Sequence, residues 1–250
     1  AEGMYVEYPA SHYPGAKIVM ATPSHQLPLG VTMSLQRRLA LLRWASANKA
    51  WIIEDDYDSE YRYTGPPLAS LQSLDRAGCT IYVGTLSKVL FPGLRLGYVV
   101  APPALVEPLV RAKAVVDRHS PIIPQMVMAD FMAGGHFGRH IKRTREAYAG
   151  RREALLSAIA SELDDELVCG PSDAGLDLCV HFRQPRDEAT VVREALAKDV
   201  ELRPLSYYAN RVATPACAVA PGLLLGFAAI PPAEIQHGVG VLASVLRKTR

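Results

Sequence analysis

The stretch GTLSKVLFPGLRLGY, residues 84–98, sets Lys88 among small hydroxyl side chains and places Arg95 seven positions later, framed by Gly93 and Gly97. Upstream, the apolar run AWII leads into Glu54-Asp55-Asp56-Tyr57-Asp58, with Asp55 thirty-three positions before Lys88. An amine, a carboxylate and a group of phosphate donors are what pyridoxal 5′-phosphate requires. The amine forms a Schiff base, the carboxylate keeps the pyridine nitrogen protonated so that the ring draws electrons, and donors cradle the phosphate. Thr85 and Ser87 bring hydroxyls, Arg95 a charge-assisted pair, and the glycines around it permit close backbone approach. Tyr57 has a phenol for the ring's own oxygen. Taken singly, each of these residues is more often a solvated lysine, a surface ion pair or a polar loop. Their co-occurrence at two strand ends gives the set its meaning.

Those strand ends come from a pattern of short apolar runs separated by helices: KIVMAT at 17–22, AWIIEDDY at 50–57, TIYVGTL at 80–86 and LRLGYVVAP at 94–102. Such a pattern predicts a buried, mostly parallel α/β sheet flanked by helices, in which ligands gather at the carboxyl ends of strands. A helix is predicted over about 33–48, with a Thr/Ser cap and a stripe of Leu35, Leu39, Leu42 and Ala45 that leaves Arg37, Arg38 and Arg43 outside it. A second helix runs to about Asp117, RHSPIIPQ breaks the chain, and a long helical region at roughly 123–163 is interrupted by Gly134 and Gly135. From about 170 the pattern becomes α+β, with strands at 176–182, 201–208 and 223–230 and helices at about 187–199 and 232–248. The predicted division is residues 1–145, the later part of a large cofactor-binding α/β domain with its connecting helix, and 146–250, a smaller C-terminal α+β domain.

Composition narrows the class. The 250 residues are 49% hydrophobic, and Lys plus Arg outnumber Asp plus Glu by only 27 to 25, so bulk charge gives no reason to expect a polyanionic partner. Cys79, Cys169, Cys179 and Cys217 form no metal-ligand pair and no disulfide framework, which fits a reducing cytoplasm. No apolar run approaches the roughly 20 residues of a membrane span, and no membrane partner is expected. The chain opens without Met and runs into an apolar strand, so part of the same fold is expected upstream. His136 and His140 have i, i+4 spacing but no accompanying acid, and no metal is expected there. The basic run RHIKRTREAYAGRR at 139–152 reads as the solvated face of a long helix rather than a phosphate-binding patch.

EDDYDSEYRY, GTLSKVLFPGLRLGY, TPSHQLPLG and DRHSPIIPQMVMADFMAGGHFGRHIKR together resemble the effector domain of MocR-type regulators of the GntR superfamily. These join a winged-helix DNA-binding domain to a fold-type I aminotransferase-like domain, and the resemblance spans nearly all of the chain. It implies pyridoxal 5′-phosphate as cofactor, Lys88 as the Schiff-base lysine, Asp55 as partner of the pyridine nitrogen and Tyr57 as partner of the ring oxygen. It places Thr85, Ser87 and Arg95 in the phosphate cup, and His25 or Gln26 beside the ring, in a loop where aminotransferases carry Asn-Pro-Thr-Gly and this chain lacks the asparagine. It also implies a cytoplasmic homodimer, an effector that is a small amine, an amino-acid-like molecule or the cofactor itself, and DNA contact through a winged helix not in this chain. One departure stands out. Where aminotransferases place a carboxylate-binding arginine late in the small domain, this chain has Leu224 in LLGFA, with Arg203 and Arg211 as the nearby substitutes. That favours a sensor over a working aminotransferase, and the filled Asp55/Tyr57/Lys88/Arg95 set speaks against a mere interaction module.

Overall fold

The computed structural model describes residues 2–209 and 220–248. Arg211 and Cys217 therefore lie outside the described residues. The chain divides into two compact units, one of residues 1–26, 31–60 and 65–143, the other of 27–30, 61–64 and 144–250.

In the first unit, α1 (Glu7–His12) precedes β1 (Ile18–Ala21), α2 (Leu35–Asn48), β2 (Trp51–Asp56), α3 (Leu71–Leu74), β3 (Thr80–Thr85) and β4 (Gly97–Val100). The helices α4 (Pro103–Val116) and α5 (Ile122–Ala133) follow, and α6 (His136–Glu162) begins here. The sheet order is β1-β2-β3-β4, with β1, β2 and β3 parallel and β4 antiparallel to β3. The reversal at β4 has a simple cause. A parallel return needs a crossover of a dozen or more residues, usually helical, and residues 86–96 supply only turns.

The predicted stripe on α2 is corrected by the structure. Leu35 and Leu39 are exposed, while Arg38, Leu41, Leu42 and Ala45 face inward. Arg38 tolerates burial because its fork donates to three carbonyls, Pro23 O at 2.6 Å, Ala69 O at 2.7 Å and Met33 O at 2.9 Å. The helix starts where expected, at Ser34, whose hydroxyl accepts from the Arg37 N–H. Leu41, Leu42 and Ala45 pack with Ile52, Leu71 and Met33 in the core under β2.

In the second unit, α6 continues into β5 (Leu167–Cys169), β6 (Asp177–Phe182), α7 (Glu188–Leu196), β7 (Arg203–Pro204), β8 (Gly222–Gly226) and α8 (Pro232–Lys248). All strand pairs are antiparallel, in the order β5-β6-β8-β7. The strand expected over 201–208 shrinks to two residues, because Pro204 has no N–H for the ladder, and a 3-10 turn takes Leu205–Tyr208. Leu178, Val180, Leu223 and Phe227 join the inner faces of α6, α7 and α8 in one core. The basic run is less uniform than expected. Lys142, Arg143 and Arg145 are exposed, but Arg151 donates to Ala228 O, and Arg152 reaches Ser172 and lies over the Tyr63 ring. Among the described residues, no helix is long and apolar enough to cross a membrane.

Candidate cofactor site

Strand alternation divides the acidic run. Along β2, Glu54 and Asp56 project to one face and Asp55 to the other. Glu54 is fully buried and accepts from the Leu71 and Gln72 N–H groups at 2.8 and 2.9 Å, tying the start of α3 to the sheet. Asp56 accepts from the Tyr82 hydroxyl at 2.6 Å and the Ser59 hydroxyl at 2.7 Å. Asp58 is 1% exposed and pairs with His25 Nδ1 at 2.8 Å. Asp55 alone makes no hydrogen bond or ion pair with other side chains among the described residues. Burial, followed by the charges of Asp56 and Asp58, pushes its carboxyl above the usual range. An adjacent cation would relieve that strain.

Parallel pairing sets Asp55 opposite Val83, so the tail of β3 leaves the sheet beside it. Thr85 Oγ1 accepts from the Ser87 N–H at 3.1 Å, a tight turn that leads into Lys88. The segment is anchored by Leu86 and Val89, both buried, by the Leu86 N–H to Leu96 O at 3.0 Å, and by His140 Nε2 to Val89 O at 2.7 Å. Lys88 is exposed between these anchors. It lies close enough to Asp58 for its charge to favour that carboxylate. Asp58 therefore stands within electrostatic reach of both Asp55 and Lys88. Arg95 is exposed at the end of the 3-10 turn Pro92–Leu94, in a left-handed conformation with φ 51°. That conformation costs a non-glycine residue about 1–2 kcal/mol. Neither Lys88 nor Arg95 has a hydrogen-bonded or ion-paired side-chain partner among the described residues.

His25 sits in a loop closed by Gln26 N–H to Val31 O at 3.0 Å and Met33 N–H to Pro23 O at 2.9 Å, and clamped by Arg38. Its ring is 4% exposed. Tyr57 donates to the His25 carbonyl oxygen at 3.1 Å and lies 3.1 Å from Nδ1. Sequence reasoning placed His25 and Tyr57 at the site but missed Asp58, the acid that pairs with His25. The short polar spacing Tyr57-Asp58 after a strand end was the available signal. It also missed Tyr82, whose phenol burial and then Asp56 push up, and Tyr98, whose ring covers Gly84.

A ring nitrogen needing a carboxylate, a phosphate needing cations and hydroxyls, and an aldehyde needing an amine match the groups left unpaired among the described residues, Asp55, Arg95 and Lys88, with the Ser87 hydroxyl next to Lys88 in the chain. The donor set fits pyridoxal 5′-phosphate. The other residues considered serve differently. Leu224 is buried in β8 between Cys179 and Arg203 and packs with Leu205, and the nearby Tyr208 phenol favours the Arg203 charge. His136 stacks on Phe131 at 5.7 Å while His140 supports Val89.

The model of the family described as aminotransferase class I and II matches residues 9–242. The chain is 36% identical over 231 residues to the probable rhizopine catabolism regulatory protein MocR of Rhizobium meliloti, covering 92% of this chain and 46% of that protein. It is 32% identical over 233 residues to aromatic-amino-acid aminotransferase 1 of Thermococcus litoralis, covering 93% and 54%. The crystal structure of Pyrococcus horikoshii kynurenine aminotransferase in complex with PMP, KYN and KYA matches with a TM-score of 0.88 at 29% identity, over 99% of this chain and 62% of that one. The chain spans about half the length of the curated relatives it matches.

Proposed function

Because the chain belongs to the aminotransferase class I and II family, has its fold-type I architecture and shares its cofactor, pyridoxal 5′-phosphate, we propose that it is the effector-sensing domain of a bacterial transcription regulator. In this reading a small amine, an amino-acid-like molecule or the cofactor itself alters DNA binding by a winged-helix domain, and the protein works as a homodimer in the cytoplasm. The large domain is assigned residues 1–145 and the small domain 146–250.

When bound, the cofactor supplies an electron-withdrawing ring. The chain's own residues do the rest. Lys88 would offer the amine that holds the aldehyde carbon, Asp55 would keep a proton on the ring nitrogen, and Tyr57, whose hydroxyl here donates to the His25 carbonyl oxygen, would turn that hydrogen to the ring oxygen. Thr85, Ser87 and Arg95 hold the phosphate by hydroxyl and charge-assisted bonds.

The observation that carries the sensor reading is Leu224. At this position a bidentate arginine would hold a substrate carboxylate, and an aliphatic side chain buried among Cys179 and Leu205 holds none. The similarity to a MocR protein over 92% of the chain supports it. The comparable similarity to an aromatic-amino-acid aminotransferase supports a second reading, a catalytically active enzyme. In that case Lys88 would also move the proton between substrate carbon and cofactor.

The test uses the whole protein with added pyridoxal 5′-phosphate. A visible absorbance band that is lost in Lys88→Ala is expected, and an unchanged band in that variant would refute the lysine assignment. Effector-dependent binding to its own promoter DNA, without turnover, is the expected behaviour of a sensor. Steady amino transfer to a keto acid would establish the enzyme instead.

A further inference from the structure

The helix α4 is poorly equipped to stand alone. It opens after Pro102 with no side-chain cap and carries Pro108 in its interior, where a proline removes a helical hydrogen bond and crowds the preceding turn. Isolated helices shorter than about 12–15 residues are marginal in water, and most helical stability in proteins comes from packing an apolar face. Yet no residue of α4 is buried, and α5 buries only Met128. Both helices therefore present apolar side chains that the described residues leave uncovered.

The barest of these side chains gather where one helix ends and the next begins. Val115 and Val116 close α4, and Ile122, Ile123, Met126 and Val127 open α5 after the link at 117–121. The α5 four lie at i, i+1, i+4 and i+5, which keeps them on one helical face. All six are 58 to 87% exposed. With roughly 100–150 Å² of each bare, they present on the order of 700 Å², more than the roughly 300–600 Å² of the largest apolar patch on a typical monomer. That is close to the 800 Å² or so that each partner contributes to a stable dimer.

The charge pattern suits a copy of the same surface. A two-fold contact sets a patch against its own image, so a patch with net charge would meet like charge. No charged residue stands between Pro121 and Ala129. Lys113 is paired with Asp117 at 2.7 Å, and Arg118 and Asp130 border the stretch with opposite signs. Aliphatic side chains and methionine with charge kept to the rim are the composition of homodimer interface centres.

We propose that this corner, the end of α4 and the start of α5, is the face by which two copies of the chain meet. The proposal rests on the homodimer reading above and adds the surface that forms the dimer.

Sedimentation of the whole protein over a dilution series tests it. The parent sediments as a dimer at high concentration. Ile123→Glu weakens that dimer by about a hundredfold or more, because each copy then brings a like charge into an apolar contact. The second position of α5 accepts a glutamate, since negative charge is favoured at a helix N-terminus. Met126→Gln adds no charge and weakens the dimer by less, about tenfold; it carries the test where Ile123→Glu fails to fold. Hydrogen exchange on the parent gives an independent reading. Protection of amides in α4 and the first turn of α5 falls as the dimer is diluted apart, while protection in β2 and β3 persists. A dimer that keeps its dissociation constant in both variants overturns the proposal, and if their urea midpoints drop at the same time, the cover is another part of the same polypeptide. A parent that sediments as a monomer at every concentration overturns the homodimer reading itself.

Discussion

Gly84 lies directly opposite Tyr98 in the β3–β4 ladder, and the tyrosine ring folds back over it. A methyl group at residue 84 would stand 2.3 Å from Tyr98 Cζ and 2.6 Å from both Cε1 and the hydroxyl oxygen. Carbon atoms in contact sit about 3.5–4.0 Å apart, so in Gly84→Ala the ring must withdraw by roughly 1–1.5 Å. Tyr98 is 46% exposed and has solvent to move into, which holds the penalty to an overpacking cost of about 1–3 kcal/mol. The withdrawal also moves the Tyr98 ring away from Tyr82, whose centroid lies 6.1 Å from it, and so loosens the packing beside the Tyr82–Asp56 bond. Urea unfolding of the whole protein measures the cost in the natural background and in Tyr98→Ala. With the ring gone, the same substitution is expected to cost less than about 0.5 kcal/mol, because alanine is otherwise preferred to glycine in a strand by about 0.5–1 kcal/mol. Equal penalties in the two backgrounds, within roughly 0.3–0.5 kcal/mol, would show that the ring is not what forbids a side chain at 84.

Substitutions at two further positions probe the scaffold. Asp75 gathers the N–H groups of Ala77, Gly78, Cys79 and Thr80 ahead of β3, at 2.7 to 3.1 Å. Burial alone would raise its carboxyl, but these bonds outweigh burial and the net shift is downward. Its stabilisation is therefore present above the ordinary aspartate range and is lost as pH falls through the lowered value. Asp75→Asn should cost about 1–3 kcal/mol at pH 7, and the gap in urea midpoint between variant and parent should close as pH falls through the acid range; a gap independent of pH would refute the assignment. Glu54→Ala leaves the Leu71 and Gln72 N–H groups buried without an acceptor and should cost about 2–5 kcal/mol, while Glu54→Gln, which keeps one acceptor oxygen, should cost less. A chemical-denaturation series that ranks the two variants the other way would remove Glu54 as the tie between β2 and α3.

The local chemistry was legible because it is written in adjacent residues. Short apolar runs ending in Asp55 and in Thr85-Leu86-Ser87-Lys88 announce strands whose carboxyl ends carry polar groups, and β2 and β3 do pair in parallel. The cap at Ser34 and the glycine break at 134 and 135 are equally local, since each depends on hydrogen bonds or backbone freedom within one turn. The inward face of α2 was not legible. Burying Arg38 in place of Leu35 depends on three carbonyls, and those at Pro23 and Ala69 come from distant parts of the chain.

The acidic run shows the same boundary most sharply. Sequence alone determined that five residues after AWII are rich in carboxylates and that a lysine and an arginine follow at a fixed spacing. Which carboxylate does what was decided by tertiary structure. The strand's two-residue alternation turned Glu54 and Asp56 toward Leu71 and Tyr82, the loop held by Arg38 brought His25 to Asp58, and Asp55 was left unpaired among the described residues. The physical reason is that a charge's role follows from its desolvation and its partners, and both are set by groups tens of residues away.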